Sequence, residues 1–262
     1  MRFASPMKIR LDKLLVERGL AATRERAQAL ILARRVLVKE QKVDKPGSAI
    51  PQDAPVRLLG GDLKYVSRGG IKLEAALAHW WVDLNERFCL DVGASTGGFT
   101  DCMLQHGAAR VLAVDTGYGQ IAQTLRNDAR VTLMERTNAR LLNPGELPEE
   151  ISFLAVDVSF ISATLVLPAV LDALRPAREP GNSADTRGIE AVVLIKPQFE
   201  AGRGNVGKGG IVRDPEAHRL AIERVRGCVR ELGGERIEVI DSPITGTEGN
   251  REFLLHAVWP AK

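Results

Sequence analysis

The chain has 262 residues, 45% hydrophobic and 26% charged, and 36 Lys+Arg against 33 Asp+Glu leave a net charge of +3. This composition can bury a core, excludes an intrinsically disordered chain, and at roughly 150 residues per domain allows about two domains. The scattered Cys89, Cys102 and Cys228 offer neither a disulfide framework nor zinc ligands, and neither a membrane-spanning run nor a signal-peptide core is present, so a soluble, reduced, cytoplasmic protein without membrane insertion is expected.

The charge is unevenly spread. The first 64 residues carry 14 basic and 7 acidic side chains, net +7, and the remainder carry 22 and 26, net −4. Within the basic part, Leu11, Leu14, Leu15 and Arg18 recur at helical spacing, and Thr23 is a candidate N-cap for a second helix whose stripe is Ala27, Leu30 and Ile31. Val36–Val38 and Val56–Leu58 read as short strands on either side of the turn-rich Asp44-Lys45-Pro46-Gly47-Ser48. Arg10, Lys13, Arg24, Arg26, Arg34 and Arg35 make a dense cationic face on so small a unit, suited to a phosphate backbone. The glycines of Gly60-Gly61 and Gly69-Gly70 flank a short connector. The expected division is therefore a basic domain over 7–64, a connector over 65–70 and a second domain over 71–262.

Beyond residue 71, β-branched runs alternate with helical patterns, with strands expected near 88–92, 111–115, 131–134, 152–157, 191–196, 236–241 and 252–258. Seven strands with helices between most of them predict an open α/β sheet covered on both faces, with its ligand at the carboxyl ends of the strands. The first strand runs into Gly93-Ala94-Ser95-Thr96-Gly97-Gly98 before a helix, where glycine allows close backbone approach to a ligand and the helix start offers free N–H groups. The spacing is neither that of a phosphate-cradling P-loop nor GxGxxG. Asp115, ending the second strand, can accept both hydroxyls of a ribose, so loop and carboxylate together suggest a nucleoside-bearing cofactor.

Four charged residues fall at the expected edge of the site. Asp157 and Lys196 end apolar strands, Glu252 begins the last strand, and Lys72 opens the helix before the first. Such a set suits removal of a proton from a weakly acidic ribose hydroxyl. Lys196 is the expected base, Asp157 and Lys72 its tuning partners, and Glu252 an orienter of Lys72 or of the substrate. Elsewhere, residues 175–188 are rich in Pro, Gly and Ser and read as a mobile surface loop, while the glycine-rich 202–210 reads equally as a lid over substrate or a flexible loop. Trp80 and Trp81 are expected to pack a helix on the sheet.

The run from Ile9 to Ala27 followed by Val36-Leu37-Val38 resembles the alpha-L RNA-binding motif first described in small-subunit ribosomal protein S-four. It departs from that pattern in having Arg34 where the motif usually has Gly, and Lys39-Glu40 where it usually has Asn-Gly. The aspartate-led DVGASTGG and AVDTG resemble the S-adenosylmethionine site of Rossmann-like methyltransferases, whose seventh strand is antiparallel. By that resemblance Gly93, Ala94, Ser95, Gly97 and Gly98 hold the methionine moiety, Asp115 the ribose, and the segment around Asn138 the adenine. Taken in order, IRLDKLLVERGLA, YVSRGGIKLEAAL, LDVGASTGGFTDCML, AVDTGYGQ, ERTNAR, VDVSFIS, LIKPQFEAGR, GGIVRDP and SPITGTEGNREF resemble the TlyA (hemolysin A-type) family, similar to FtsJ/RrmJ-type enzymes. The resemblance implies an S-adenosylmethionine-dependent methyltransferase acting on cytidine 2′-hydroxyls of ribosomal RNA or ribosomal subunits, with Lys72, Asp157, Lys196 and Glu252 as its tetrad. It leaves open the nucleotide, the subunit and the oligomeric state. A non-catalytic ribosome-assembly factor, a membrane-active hemolysin, and a small-molecule methyltransferase or oxidoreductase are the competing readings.

Overall fold

The computed structural model describes residues 8–21, 23–59, 64–144, 146–147, 150–174, 188–246 and 248–260. The loop expected at 175–188 therefore lies, apart from Gly188, outside the described residues. The chain forms two compact units that divide between residues 63 and 64.

The first unit contains β1 (Lys8–Arg10), α1 (Leu11–Glu17), α2 (Arg24–Leu32), β2 (Val36–Val38), β3 (Gln41–Val43), β4 (Ala49–Pro51) and β5 (Val56–Leu58). Thr23 Oγ1 accepts from the Arg26 N–H and caps α2 as the sequence suggested. Leu11, Leu15, Ala27, Leu30, Ile31, Val36 and Val38 close one small core. The strands β3-β2-β5 form one sheet and β1-β4 another. Strands β1, β3 and β4 had no sequence signal, because three residues are too short to show alternation and Gln41-Lys42-Val43 has no apolar pattern. Arg34, Lys39 and Glu40, which replace the glycine and Asn-Gly of the resembled motif, have φ of 56°, 50° and 64°. Both turns thus persist, with side chains in the left-handed region that glycine or asparagine would occupy with less strain.

The second unit contains α3 (Gly69–Trp80), β6 (Phe88–Val92), α4 (Gly98–Gln105), β7 (Arg110–Val114), α5 (Gln123–Arg126), β8 (Val131–Met134), β9 (Ile151–Val156), α6 (Leu167–Leu174), β10 (Ile189–Ile195), α7 (Pro197–Glu200), α8 (Pro215–Glu231), β11 (Glu235–Asp241) and β12 (Phe253–Trp259). The strand order is β11-β12-β10-β9-β6-β7-β8, with β12 antiparallel to both neighbours. Both sheet faces are apolar, as expected for helices on each side. Leu90, Val92, Leu154 and Val156 pack with α6 and α8, while Cys89, Val111, Phe153 and Ala155 pack with α3, α4 and α5. The parallel strands are laid down from β6 through β7 and β8 towards one edge of the sheet and then from β9 through β10 towards the other. The reversal lies between β6 and β9, where such sheets open a crevice at their carboxyl ends.

Two expectations need correcting. Residues 65–70 do not form a loose connector: they are built into the second unit. Tyr65 is buried, the Val66 N–H donates to Asp101 Oδ2 at 2.7 Å, Arg68 donates to the Thr245 carbonyl at 2.7 Å, and Gly69 and Gly70 begin α3. Gly70 is required by packing, since a Cβ there would lie 2.3 Å from the Tyr65 ring. Of the two tryptophans, only Trp80 packs, stacking on His256 and donating to Glu238; Trp81, in a left-handed C-cap, is 91% exposed.

Candidate active site

The crevice is assembled from strand ends. β6 ends at Val92 and turns at Gly93, whose N–H donates to the Val114 carbonyl at 2.8 Å. Gly93 has φ of 88°, and a Cβ on it would stand 2.5 Å from the Asp157 carbonyl oxygen. Only glycine lets the β6 turn and the end of β9 approach this closely, and that approach sets Asp157 beside the glycine loop. Asp115 follows β7 and gathers the loop: its Oδ2 accepts from the Ser95 N–H at 2.8 Å and its Oδ1 from the Gly117 N–H at 2.6 Å. Asn138 follows β8, and its Oδ1 accepts from the Arg140 N–H at 3.1 Å, capping a short 3₁₀ turn.

These residues wall a cavity of about 410 Å³ to which Gly93, Ser95, Asp115, Thr137, Asn138, Asp157 and Ser159 contribute. The volume is within the range of small-ligand sites. Of the residues expected to hold a cofactor, Gly93, Ser95, Asp115 and Asn138 line it. Ala94, Gly97 and Gly98 do not; Gly98 instead lies against Ser67 and Gly70, where it seats α4 on the start of α3. A cation fits the cavity's surroundings. Asp91 is fully buried beside it, its Oδ2 accepts from Thr100 Oγ1 at 2.6 Å, and its Oδ1 has no hydrogen-bond partner. Burial, and then the carboxylates of Asp157 and Asp115, push the Asp91 carboxyl up to about 7. A positively charged ligand would relieve that mutual repulsion.

The expected tetrad resolves into two lysine–carboxylate pairs. Lys72 Nζ, in the first turn of α3, lies 2.5 Å from Glu252 Oε2 just before β12, and Lys196 Nζ, just after β10, lies 2.5 Å from Asp157 Oδ1. Because β12 runs antiparallel, its start meets the ends of β9 and β10 at one edge of the sheet. Charges this far from solvent persist only when paired, so each lysine is matched to its carboxylate. Lys196 and Glu252 line a second cavity of about 230 Å³ together with Gln198, Phe199, Val206, Gly210 and Glu248. Ser159 and Phe160 line both cavities. Segment 202–210 thus contributes to the wall of this second cavity, where Asn250 Nδ2 donates to the Gly210 carbonyl at 2.9 Å.

Sequence reasoning missed two residues here. Ser159 accepts from Lys196 Nζ at 2.7 Å. Phe160 has φ of 64° and is 93% exposed, with its ring 5.6 Å from that of Phe199. An aromatic flanked by serine and isoleucine three residues after a strand-ending aspartate was the available signal, but it reads equally as core.

The basic face of the first unit is partly engaged by its own carboxylates. Asp12 is fully buried and accepts from Arg10, Arg24 and Gln28, and these hydrogen bonds, led by that from Arg10, hold its carboxyl well below the usual range. Arg34 pairs with Asp44 at 2.9 Å, and Arg35 donates to the Leu59 carbonyl. Arg10, Arg24 and Arg34 nevertheless keep about half or more of their side chains in solvent, and Lys13 is exposed, so the face stays cationic.

The FtsJ-like methyltransferase family model matches residues 65–259, and the S4 domain model matches residues 9–53. A Mycobacterium tuberculosis protein named 16S/23S rRNA (cytidine-2′-O)-methyltransferase TlyA is 41% identical over 249 residues, 95% of this chain and 89% of that protein. The chain belongs to the TlyA family. Another relative, YqxC of Bacillus subtilis, is 48% identical over 256 residues, covering 97% of this chain and 87% of YqxC. A solved structure from Streptococcus thermophilus that carries the hemolysin name superposes on this TlyA-family chain with a TM-score of 0.71 at 41% identity, covering 98% of this chain and 90% of that one. Among the described residues no helix is long and apolar enough to cross a membrane.

Proposed function

We propose that this chain transfers a methyl group from S-adenosylmethionine to the 2′-hydroxyl of a cytidine in ribosomal RNA, in the cytoplasm, with ribosomal RNA or a ribosomal subunit as partner. The observation that carries the reading is the adjacency of two cavities, one lined by Gly93, Ser95, Asp115, Asn138 and Asp157 and the other by Lys196 and Glu252, with Ser159 and Phe160 lining both. The M. tuberculosis relative's name gives the same reaction class.

Asp115 would hold the ribose hydroxyls of S-adenosylmethionine, Gly93 and Ser95 its methionine end and Asn138 its adenine; Ala94, Gly97 and Gly98 would shape the loop from behind. When bound, the cofactor supplies a methyl group on a positively charged sulfur. The residues of the second cavity then act on the RNA. Lys196, after releasing its own proton to solvent, would take the proton from the 2′-oxygen, whose bond to the donated methyl carbon would form as the methyl leaves the sulfonium sulfur. Asp157 and Ser159 aim Nζ, and Glu252, which lines the second cavity and pairs with Lys72, orients the ribose. Phe160 offers its exposed ring to a base at the mouth. The +7 first unit, through Arg10, Lys13, Arg24, Arg26, Arg34 and Arg35, would grip phosphates, a sequence-independent attraction that orients the RNA.

The test is incorporation of labelled methyl from S-adenosylmethionine into unmodified ribosomal subunits, followed by mapping of 2′-O-methyl positions. Wild type should label a cytidine 2′-oxygen, and Lys196→Ala should lose roughly 10²- to 10⁴-fold in rate, the usual contribution of a general base. Lys196→Ala at the wild-type rate would remove the assignment of the base. Wild type that labels no ribose would remove the reaction itself.

A further inference from the structure

Glu200 is a buried titratable group that the proposed chemistry does not use. It ends α7, four residues after Lys196, is 2% exposed, and lines neither cavity. Its carboxylate is nevertheless committed to the neighbouring strand's loop. Oε2 accepts from Ser162 Oγ at 2.5 Å and Oε1 from the Ala163 N–H at 2.7 Å, at the start of the 3₁₀ turn that follows Asp157, Ser159 and Phe160. Helix α8 closes over this contact. Arg224, the charged group that acts on Glu200 from that helix, donates to the Glu200 carbonyl at 2.7 Å, and Cys228 Sγ lies 3.8 Å from the Thr164 carbonyl.

Two loops therefore meet through three contacts: Lys196 to Asp157 and Ser159, Phe199 to the exposed ring of Phe160, and Glu200 to Ser162 and Ala163. The first contacts are made by side chains that must also accommodate substrate. The last is shielded from water, where hydrogen bonds to a carboxylate are strong and leaving a partner unsatisfied is costly. Burial of a carboxylate is itself unfavourable, and it pushes the pKa of Glu200 above the ordinary carboxyl value. An apolar residue there would avoid that penalty, so the carboxylate calls for a role in geometry.

We propose that Glu200 is a positioning residue, latching the loop that carries Asp157, Ser159 and Phe160 to the segment that carries Lys196, and so holding the base in line with the 2′-oxygen. The inference rests on the methyl-transfer reading for its effect on rate, but the latch itself is a structural claim with its own readout. Glu200→Gln preserves it, because the amide oxygen can accept from Ala163 N–H while the amide nitrogen donates to Ser162 Oγ. Glu200→Ala removes both bonds; Ser162→Ala removes one of them together with the Ser162 cap on the Thr164 N–H, and Ser162→Asn, which can keep that cap but places a bulkier group against Glu200, separates the two, so that loss of folding in the first variant leaves the others to decide.

The experiment pairs amide hydrogen exchange over residues 157–165 with steady-state methylation of unmodified ribosomal subunits, at a temperature where melting curves show each variant folded. Exchange should quicken in Glu200→Ala and Ser162→Ala and stay at the wild-type level in Glu200→Gln. The turnover number should fall in the same order, by about tenfold to a hundredfold for Glu200→Ala, as a sub-ångström misplacement of reacting groups implies. KM for RNA should move less than about threefold, since the phosphate grip lies elsewhere. Unchanged exchange in the alanine variants overturns the latch. So does quickened exchange with an undiminished turnover number, or an equal loss of turnover in Glu200→Gln with wild-type exchange, which would make the charge itself the active feature. A wild-type protein that transfers no methyl group refutes the proposed reaction instead, and the exchange pattern still decides the latch.

Discussion

Gly93→Ala should couple a stability loss to a loss of activity in a way that a matched glycine elsewhere does not. Gly93 has φ of 88°, and the left-handed region costs an L-residue about 1–2 kcal/mol. The new methyl group would also stand 2.5 Å from the Asp157 carbonyl oxygen and 2.9 Å from its carbon, so β6 and β9 must part by roughly 0.9 Å to restore ordinary contact. Overpacking of this kind adds about 1–3 kcal/mol, giving a total of about 2–5 kcal/mol. That displacement moves Asp157, which pairs with Lys196, and an ångström of misplacement can cost about 10²-fold in rate. Gly233, at the end of α8, has φ of 85° and nothing within 4 Å of the position a Cβ would take, so Gly233→Ala carries the backbone strain alone. The assay is urea unfolding of both variants with methyl transfer measured well below either midpoint. Gly233→Ala should lose about 1–2 kcal/mol and keep its rate; Gly93→Ala should lose more stability and about a hundredfold in rate. Equal behaviour of the two variants would refute the claim that close approach at Gly93 places Asp157.

Asp115→Ala should raise the dissociation constant for S-adenosylmethionine by about tenfold or more, as expected when even one hydrogen bond from a ribose hydroxyl to a charged acceptor, worth about 1.5–3 kcal/mol, is lost; calorimetric titration reads this directly. Asp91, raised by burial from 3.8 to about 7, holds its proton more tightly folded than unfolded. Its contribution is therefore fully present below the unfolded value and is lost as pH rises through about 7, a fall of at most ~4 kcal/mol. Asp91→Asn should flatten the stability profile between pH 4 and 8, and an unchanged profile would place the titration elsewhere. In the first unit, Lys39→Asn with Glu40→Gly should stabilise by about 1 kcal/mol, because the two-residue turn between β2 and β3 has both residues at positive φ. The exposed pair of Glu40 with Arg57 contributes little in return. Slower amide exchange across Val36–Val38 in the full chain is the readout, and faster exchange would count against the strain argument.

All seven strands of the second unit were legible: the central ones as apolar runs, because strands buried on both faces need apolar side chains at nearly every position, and the edge strands β8 and β11 by their β-branched residues. The sites at their carboxyl ends were legible because a charged residue closing such a run, as Asp157 and Lys196 do, interrupts it visibly. In the first unit β2 and β5 were legible as apolar runs, but β1, β3 and β4 were not, since backbone pairing rather than side-chain pattern makes them. Nor was the fate of residues 65–70: two adjacent glycines read as freedom, whereas packing against Tyr65 demands one of them.

The sequence by itself determined the division of charge, +7 ahead of −4, the alternation that makes the α/β sheet, and the identities of Lys72, Asp157, Lys196 and Glu252 as polar intruders in apolar surroundings. Only the tertiary structure decided how those four pair, because partners separated by 180 residues in one case are joined by the antiparallel return of β12 rather than by any local spacing. The same holds for Ser159 beside Lys196, for Asp12 gathering two of the arginines expected to face RNA, and for Glu200 beneath Ser162. Side-chain pattern reports whether a position is buried; which groups meet there depends on strand order, and that is settled only when the whole sheet has formed.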